Sequence, residues 1–425
     1  MKKYNNTKIV FTIALLLCAF VSVAQNRISS PYSRYGLGDI QNRSALSVYS
    51  MGNINKAILD PQTINIGNPA SYSAFDSMSF VFDAAMISSS SNLISSSASQ
   101  NSNYTSLSYF LIGFPLLKSV KASFGILPFS DIGYLIEDKQ MVENIGSVKY
   151  IYEGDGGLTQ INMGLSYNIL PQWSIGANAA YVFGNVFRTR KIEFDSTLTF
   201  NTLNKESNNM KGYVFQFGSI YNIKMKNNQY FNIGATYSLD SKLSSRNTVL
   251  SGVYSLNNLD EVIMGDTTEL ILNEKAHITV PFKAGGGVAY GKTNKFMLGL
   301  DFEFQNWSSF TQFGQSDSLK NSMKIALGGM YIPNYNSPSF FNRAKYRAGF
   351  KYHQSHLDLK NTQLRDISLN VGMGLPLRRS LNNVNIGIEV GQLGTTTNNL
   401  IRINYVNIQI GVQFYERWFH RRKLD

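Results

Sequence analysis

The final stretch of the chain alternates strictly between apolar and polar residues. Residues 406–414 read Val-Asn-Ile-Gln-Ile-Gly-Val-Gln-Phe, so every second side chain is apolar. Alternation with period two predicts a β-strand with one apolar face. A tilted strand needs about nine to eleven residues to cross a bilayer. The same pattern recurs along the chain, which predicts that strands of this kind close into a transmembrane barrel.

Fourteen segments show this pattern, and short turns alternate with long polar connections between them. The connections 170–172 and 226–228 are short, whereas 88–103, 188–211 and 240–277 are long and polar. Short periplasmic turns and long external loops are typical of outer-membrane barrels. The predicted fold class is therefore all-β, an outer-membrane β-barrel of about 14 antiparallel strands spanning residues 78–414. The predicted strands are 78–88, 104–114, 120–135, 158–169, 173–187, 212–223, 230–239, 278–290, 296–304, 323–332, 346–355, 367–375, 384–390 and 402–414.

Two predicted strands show which face is which. Apolar side chains such as Met163 and Leu165 should face lipid, whereas Asp301 and Glu303 should face the lumen. The two carboxylates could serve acid/base chemistry, but no nucleophile is near them in sequence, so lumenal salt bridges are the favoured interpretation. No Ser/His/Asp or Cys/His arrangement stands out, and we therefore expect no enzyme activity.

His353 and His356 are the other candidates for chemistry. Residues three apart in a regular strand point to opposite faces, so this pair should not bind a metal together. We expect no metal and no cofactor.

The N-terminus has the composition of an export signal. Lys2, Lys3 and Lys8 precede an apolar run at 9–23, which predicts a signal peptide over 1–24 that is removed on export. The formal net charge of +12 would suit nucleic acid, but an exported chain should not meet it. We expect the outer membrane as location, and contact of basic residues with its lipid and lipopolysaccharide head groups. A basic periplasmic tail is predicted at 415–425.

Residues 25–77 lack a period-two run long enough to span a membrane. They contain turn-rich polar pieces and a helix candidate at 44–51. A barrel of about fourteen strands would leak if it were empty. The segment is therefore predicted to fold inward as an N-terminal plug.

Several short motifs resemble the FadL-like outer-membrane transport proteins. They are Asn68-Pro69-Ala70, the runs 156–160, 218–221 and 233–237, and Val280-Pro281 leading to 287–290. The runs 30–39 and 417–423 resemble a Bacteroidota branch of that family. The resemblance implies that Asn68, Pro69 and Ala70 end the plug, and that a kink in the third strand opens a side gap for an apolar ligand.

The third predicted strand fits such a gap. Pro128 cannot donate to a strand ladder, and alternation places Leu127 and Phe129 inward. Together with Val81 and Ile87 of the first strand, these residues are candidates to line a lateral opening beside that strand. The alternative, that they only pack against the plug, stays open.

Two functions remain in view. The first hypothesis is passive transport of a small hydrophobic, fatty-acid-like compound through the plugged barrel. The second is a structural subunit of an outer-membrane secretion or assembly complex, with other outer-membrane subunits as partners. In either case we expect the barrel-assembly machinery to insert the chain, with Phe414 as part of the assembly signal in the last strand.

Overall fold

A computed structural model of the chain describes residues 30–417, apart from 97, 144, 196–198, 257–261, 318 and 378–379. The predicted signal peptide (1–24) and most of the predicted basic tail (418–425) lie outside the described residues.

Fourteen antiparallel strands of the described chain close into one barrel, which confirms the predicted fold class and strand number. Each strand pairs with the next, and the last pairs with the first over residues 402–417 and 79–94. The strands are β1 (Ser79–Ile94), β2 (Ser99–Pro115), β3 (Val120–Val142), β4 (Gly146–Leu170), β5 (Trp173–Phe194), β6 (Asn201–Lys224), β7 (Gln229–Ser238), β8 (Lys283–Lys292), β9 (Phe296–Gln305), β10 (Ser322–Tyr331), β11 (Lys345–Leu359), β12 (Thr362–Pro376), β13 (Asn383–Leu393) and β14 (Arg402–Arg417).

The period-two pattern produces the two faces as predicted. Met163 and Leu165 are more than half exposed on the outer surface, whereas Asp301 and Glu303 are buried inside. The outer face thus presents apolar side chains to the bilayer, and polar side chains line the interior.

The two ends of the barrel differ. One end, here called the turn end, carries the connections 170–173, 224–229 and 292–296 and both termini of the barrel. The opposite end is the loop end. A short helix, α2 (Phe340–Arg343), lies in the turn-end connection between β10 and β11, and single 3₁₀ turns lie at Lys226–Asn228, Trp307–Ser309 and Thr397–Asn399.

The long connections predicted as loops are largely strand. β5 and β6 continue through most of 188–211, and 240–277 falls almost entirely within a hairpin of Ser241–Leu256 and Val262–Val280 that pairs with β6. β3 to β6 are 22 to 25 residues long, whereas β7 to β10 have 10 residues each. One side of the barrel therefore rises beyond the loop end as a sheet, which we call the wall: the distal parts of β3–β6 and this hairpin. The prediction failed here because polar strands outside lipid need no apolar alternation.

The segment before β1 lies inside the barrel. It contains a 3₁₀ turn (Pro31–Arg34), a two-residue bridge (Asp39–Ile40), the helix α1 (Leu46–Tyr49) and a second 3₁₀ turn (Pro69–Ala74). Most of its side chains are buried, and they contact strands all round the barrel. Helix α1 falls within the predicted range 44–51. No helix among the described residues has the length and apolar character needed to span a membrane.

Candidate functional site

The interior is organised around the segment 30–78. Asn68 begins the second 3₁₀ turn, where its side chain accepts a hydrogen bond from the backbone N–H of Ala70 (3.1 Å) and Pro69 takes the first position. The amide of Asn68 also donates to the carbonyl of Lys56 at 2.6 Å and to that of Ser219, on β6, at 3.3 Å. The predicted motif thus fixes one end of the segment to the barrel strands.

Inward-facing glycines allow this close approach. A Cβ added at Gly218 would lie 2.0 Å from Oδ1 of Asn68, and one at Gly234 would lie 1.8 Å from the carbonyl oxygen of Lys56. Across the barrel, a Cβ at Gly328 would lie 2.1 Å from the carbonyl oxygen of Met51. No real side chain tolerates such distances, so the segment needs glycine at these inward positions.

Buried charges hold the middle of the segment. Nζ of Lys56 lies 2.6 Å from Glu303 on β9, and Lys324 on β10 lies 3.5 Å from the same carboxylate. Asp301 accepts a hydrogen bond from the backbone N–H of Lys56 (2.9 Å). The two lumenal carboxylates therefore bind the segment, in line with the salt bridges expected from the sequence.

A second charged network involves helix α1. The hydroxyl of Tyr49 donates to Glu389 on β13, and Lys351 on β11 lies 2.9 Å from Glu389 and 3.0 Å from Asp366. Burial, reinforced by the negative charge of Glu389, raises the pKa of Tyr49 well above its ordinary value. The tyrosine therefore stays a hydrogen-bond donor at any physiological pH.

The barrel has a break between β2 and β3. Their ladder runs from Pro115 and Lys121 to Phe110 and Ile126, and in the described chain it goes no further. Beyond this point β2 remains paired with β1, and β3 remains paired with β4 with a bulge at Phe129. The break thus lies between β2 and β3, and not beside the first strand as expected from the sequence. β1 is paired along both edges, so it offers no opening.

The N-terminal segment occupies the edge that β2 leaves. Asp39 and Ile40 pair with Asp131 and Ser130 of β3. The backbone N–H of Ser30 donates to the carbonyl of Gly133 (3.1 Å), and that of Gln41 donates to the carbonyl of Phe129 (2.9 Å). Residues 30–41 therefore satisfy the exposed strand edge from the lumen side.

The residues predicted to line the gap lie around this break, and their environments differ. Leu127 and Val81 are fully buried in one apolar cluster with Tyr72, Tyr109 and Leu111. Phe129 packs against a different cluster nearer the loop end. Ile87 is buried, and Pro128 is half-buried and stays in register with Thr159. The ladder irregularity falls on Phe129 rather than on the proline.

The loop-end cluster closes over Tyr32 and Leu37. Inward apolar side chains from most of the barrel belong to one buried cluster with these two residues, and the hydroxyl of Tyr32 donates to the carbonyl of Ile401 at 2.5 Å. Four members of this cluster, Tyr32, Trp307, Leu357 and Ile403, also line a lumenal cavity. The buried members of the cluster are Tyr32, Leu37, Leu93, Ile132, Tyr134, Leu158, Val182, Val186, Met210, Leu243, Ile278, Val280, Trp307, Phe310, Leu319, Leu357, Leu364, Leu400 and Ile403.

The histidine pair differs from expectation. His353 and His356 line the same lumenal cavity of about 260 Å³, because the β11–β12 ladder shifts register between Gln354 and Asp358. His356 stacks on Trp307 with ring centroids 4.3 Å apart. Within the described residues, no group of three or more His, Cys, Asp or Glu side chains is arranged to hold a metal ion.

Comparison with known families decides the relationship. The sequence matches the family model of BamG over residues 6–425. The chain belongs to the BamG family. Among curated proteins no match is found.

Solved structures share the fold of this BamG-family barrel. The toluene transporter TbuX of Ralstonia pickettii aligns with a TM-score of 0.60 and 13% identity, covering 87% of this chain and 97% of TbuX. The toluene transporter TodX of Pseudomonas putida aligns with a TM-score of 0.58 and 14% identity, covering 90% of this chain and 100% of TodX. A FadL homologue of Pseudomonas aeruginosa aligns with a TM-score of 0.57 and 11% identity, covering 90% of this chain and 100% of the homologue. The expected FadL-like, outer-membrane barrel fold is thereby confirmed.

Sequence reasoning missed most of the residues that hold the segment. Lys56 and Tyr49 lie in a stretch without periodicity, and nothing in their surroundings marks them as partners of Glu303 and Glu389. The available signal was the inward position of those carboxylates, since buried charges require partners.

Proposed function

We propose that this BamG-family barrel is a closed subunit of an outer-membrane assembly complex and binds a neighbouring subunit through the wall. The observation that carries the proposal is the length of β3–β6, which at 22 to 25 residues is about twice what a bilayer requires. The excess forms a sheet outside the lipid on one side only. The family name BamG supports a link to barrel assembly.

The surface chemistry of the wall supports a protein partner. Leu270 and Leu272 lie on the same face of the hairpin strand Val262–Val280, and they are 57% and 64% exposed among polar neighbours. Phe200, at the loop-end connection before β6, is 71% exposed. Exposed apolar side chains outside the bilayer favour contact with another protein.

The interior supports a closed rather than a conducting state. We infer that residues 25–77 act as a plug, held by the Lys56–Glu303 pair and by Asn68 at the glycine-lined inner face of β6. Tyr32 and Leu37 of this segment belong to the buried apolar cluster at the loop end. A lumen occupied by the N-terminal segment suits a scaffold that must not leak.

The test combines one wall variant with a depletion experiment. Leu272→Asp should reduce at least tenfold the amount of a stoichiometric outer-membrane partner that co-purifies with the protein. Native mass spectrometry of the detergent-extracted complex measures this amount. Asn361→Asp, at the exposed loop-end turn between β11 and β12 and outside the wall, is the matched control and should leave the complex intact. Depletion of the protein should lower the outer-membrane abundance of other barrels.

Two results would contradict this proposal. One is a protein that is extracted alone under all mild conditions while other barrels keep their abundance on depletion. The other is a Leu272→Asp variant that retains every partner of the wild type.

The second candidate is passage of a hydrophobic compound through the β2–β3 break, and the incomplete ladder favours it. Cysteines replacing Tyr109 and Leu127, which share one apolar cluster, allow a short bis-maleimide to span the break. Crosslinking should then abolish uptake of a hydrophobic probe into vesicles that contain the purified barrel. Single-cysteine variants treated with the same reagent are the control, and uptake that persists after crosslinking, or that never exceeds empty vesicles, argues against this route.

A further inference from the structure

The apolar outer face of β6 ends where the wall begins. Alternate residues of 213–223 point outward, and they include the exposed side chains of Tyr213 and Phe215. These eleven residues match the length that a tilted strand needs to cross a bilayer, about nine to eleven residues. The next outward residue toward the loop end is Lys211, which is exposed. Lys211 therefore lies at the loop-end boundary of the lipid.

Three more cations lie beside Lys211 on the wall. Lys211 stands opposite Ser244 in the ladder between β6 and the hairpin. Lys242 and Arg246 are two residues before and after Ser244, so both share its face. Arg246 in turn stands directly opposite Lys275 in the hairpin ladder. We call Lys211, Lys242, Arg246 and Lys275 the basic patch.

The basic patch lies on the outer face of the wall. Leu243 and Ser245, which alternate with its residues along the hairpin strand, are fully buried, whereas all four cations are exposed. The patch is therefore open to the lipid head groups and the solvent around the barrel, and not to the lumen.

The patch brings like charges together without forming ion pairs. None of its four side chains makes a salt bridge or a side-chain hydrogen bond to another residue that the structure describes. Asp240, two residues before Lys242, accepts a hydrogen bond from the backbone N–H of Phe282 at 2.7 Å. Glu274 stands opposite Asn247, and alternation turns its side chain away from the face of Lys275. Like charges directly opposite each other in a sheet are destabilising, so an anion bound between them would stabilise the patch.

We propose that the basic patch binds the phosphorylated head group of an outer-leaflet glycolipid. Short turns are typical of the periplasmic side, so the loop end faces the exterior and the patch lies at the level of the outer-leaflet head groups. A phosphate offers several acceptor oxygens, which the guanidinium of Arg246 and the neighbouring ammonium groups can bind together. On the lipid side of the patch, the rings of Tyr181 and Tyr213 lie 5.2 Å apart, and tyrosine is enriched at this level of the membrane.

The position of the patch favours a lipid over a protein. Its cations adjoin the lipid-facing residues of β6, whereas the exposed Leu270 and Leu272 lie farther out on the hairpin. This site goes beyond the proposed function, because it needs neither a protein partner nor Leu272. The sequence predicts only a general contact of basic residues with head groups, and the register of the hairpin assigns that contact to one place.

The experiment uses the purified full-length protein in a neutral detergent. Native mass spectrometry counts the bound molecules during a titration with diphosphoryl lipid A, and the fully dephosphorylated lipid A is titrated for comparison. We expect saturable binding of the diphosphoryl form, with an affinity at least tenfold higher than that of the dephosphorylated form. Higher ionic strength should weaken only the binding of the diphosphoryl form, because salt screens charges at an exposed surface.

Two variants with the same change in net charge locate the site. The patch variant carries Lys211→Gln, Lys242→Gln, Arg246→Gln and Lys275→Gln, and its affinity for diphosphoryl lipid A should fall at least tenfold. The control variant removes four exposed cations outside the patch, and its affinity should equal that of the wild type. Its substitutions are Lys118→Gln, Lys224→Gln, Lys226→Gln and Arg365→Gln. Heat-modifiable migration on gels verifies that each barrel is folded. If the patch variant does not fold, the comparison of the two lipids on the wild type still decides.

Four outcomes would overturn the inference. Equal binding of both lipids would mean that the phosphates are not recognised. An equal loss in both variants would mean that net charge alone attracts the lipid. Displacement of lipid A by an equal concentration of inorganic phosphate would indicate a site for the free ion. A patch variant that binds lipid A like the wild type, but loses an outer-membrane protein that co-purifies with the wild type, would assign the patch to a protein interface.

Discussion

At the residue scale, the lumen depends on charges that are buried in pairs. Lys56 and Glu303 are both almost fully buried and lie 2.6 Å apart, with Lys324 as a further partner of the same carboxylate. Such groups stabilise the fold only as long as all partners are present, because each alone would be an uncompensated charge out of water.

Glu303→Gln should therefore destabilise the barrel strongly. The variant leaves the ammonium groups of Lys56 and Lys324 facing each other without a carboxylate of Glu303 between them. The expected loss is about 3–5 kcal/mol in the free energy of unfolding, measured by urea titration of the refolded protein in detergent.

The control is an ion pair of similar length on the surface. Lys149 and Glu137 lie 2.9 Å apart on β4 and β3 with side chains 27% and 49% exposed. Glu137→Gln should cost about 0–1 kcal/mol. Equal losses in the two variants would mean that the lumenal pair is not a structural element of the barrel.

The sequence predicts the inward carboxylates that bind Lys56, but it does not predict Lys56 as their partner. Strict alternation in β9 is enough to assign Asp301 and Glu303 to the interior. Their partner Lys56 lies 247 positions from Glu303 in a segment without periodicity, so no local pattern could reveal it. The same limit applies to the histidines, where a register shift between Gln354 and Asp358 overrides the alternation of a regular strand.

At the element scale, the N-terminal segment occupies much of the interior between the strands. Its contacts are distributed between Asn68 at β6, Lys56 at β9, Tyr49 at β13 and the bridge of Asp39–Ile40 at β3. The barrel ladder itself closes without it, through the pairing of β14 with β1.

Deletion of residues 25–70 should therefore leave a folded barrel with a higher single-channel conductance in planar bilayers. Removing the segment empties the lumen that its side chains now fill, and a barrel of fourteen strands is wide enough to conduct ions. Deleting 247–274, which shortens the loop-end hairpin, is a control that should not raise the conductance. An unchanged conductance after the first deletion would mean that another part of the chain blocks the pore.

The position of the break shows where prediction from elements stops. Leu127, Pro128 and Phe129 lie in β3, which borders the break, yet the edge that is left open belongs to β2. The position of the unpaired edge depends on the tilt and coiling of β2 and β3, and on residues 30–41, which replace the missing partner. A proline in the sequence predicts none of these.

At the scale of the whole molecule, closure of the barrel depends on one seam. β14 pairs with β1 along sixteen residue pairs, and Phe414 stands opposite Phe82 with ring centroids 5.8 Å apart. Phe82 in turn contacts Phe110 on β2 edge to face, with centroids 5.1 Å apart. The predicted assembly residue is thus part of an aromatic group on the lipid side of the seam.

Phe414→Asp should reduce the amount of protein in the outer membrane to a small fraction of the wild-type level. The substitution places a charge on the lipid face and removes an aromatic contact from the strand that closes the barrel on β1, so it acts on both insertion and closure. Quantitative immunoblotting of separated membranes measures the effect. Phe302→Asp is the matched control, because Phe302 is 45% exposed on the lipid face and Phe414 is 40% exposed. If burial of a charge in lipid were the only cause, the outer-membrane amounts of both variants would fall alike. A loss confined to Phe414→Asp assigns the effect to the closing strand. Normal outer-membrane amounts of Phe414→Asp contradict the role of Phe414 in assembly.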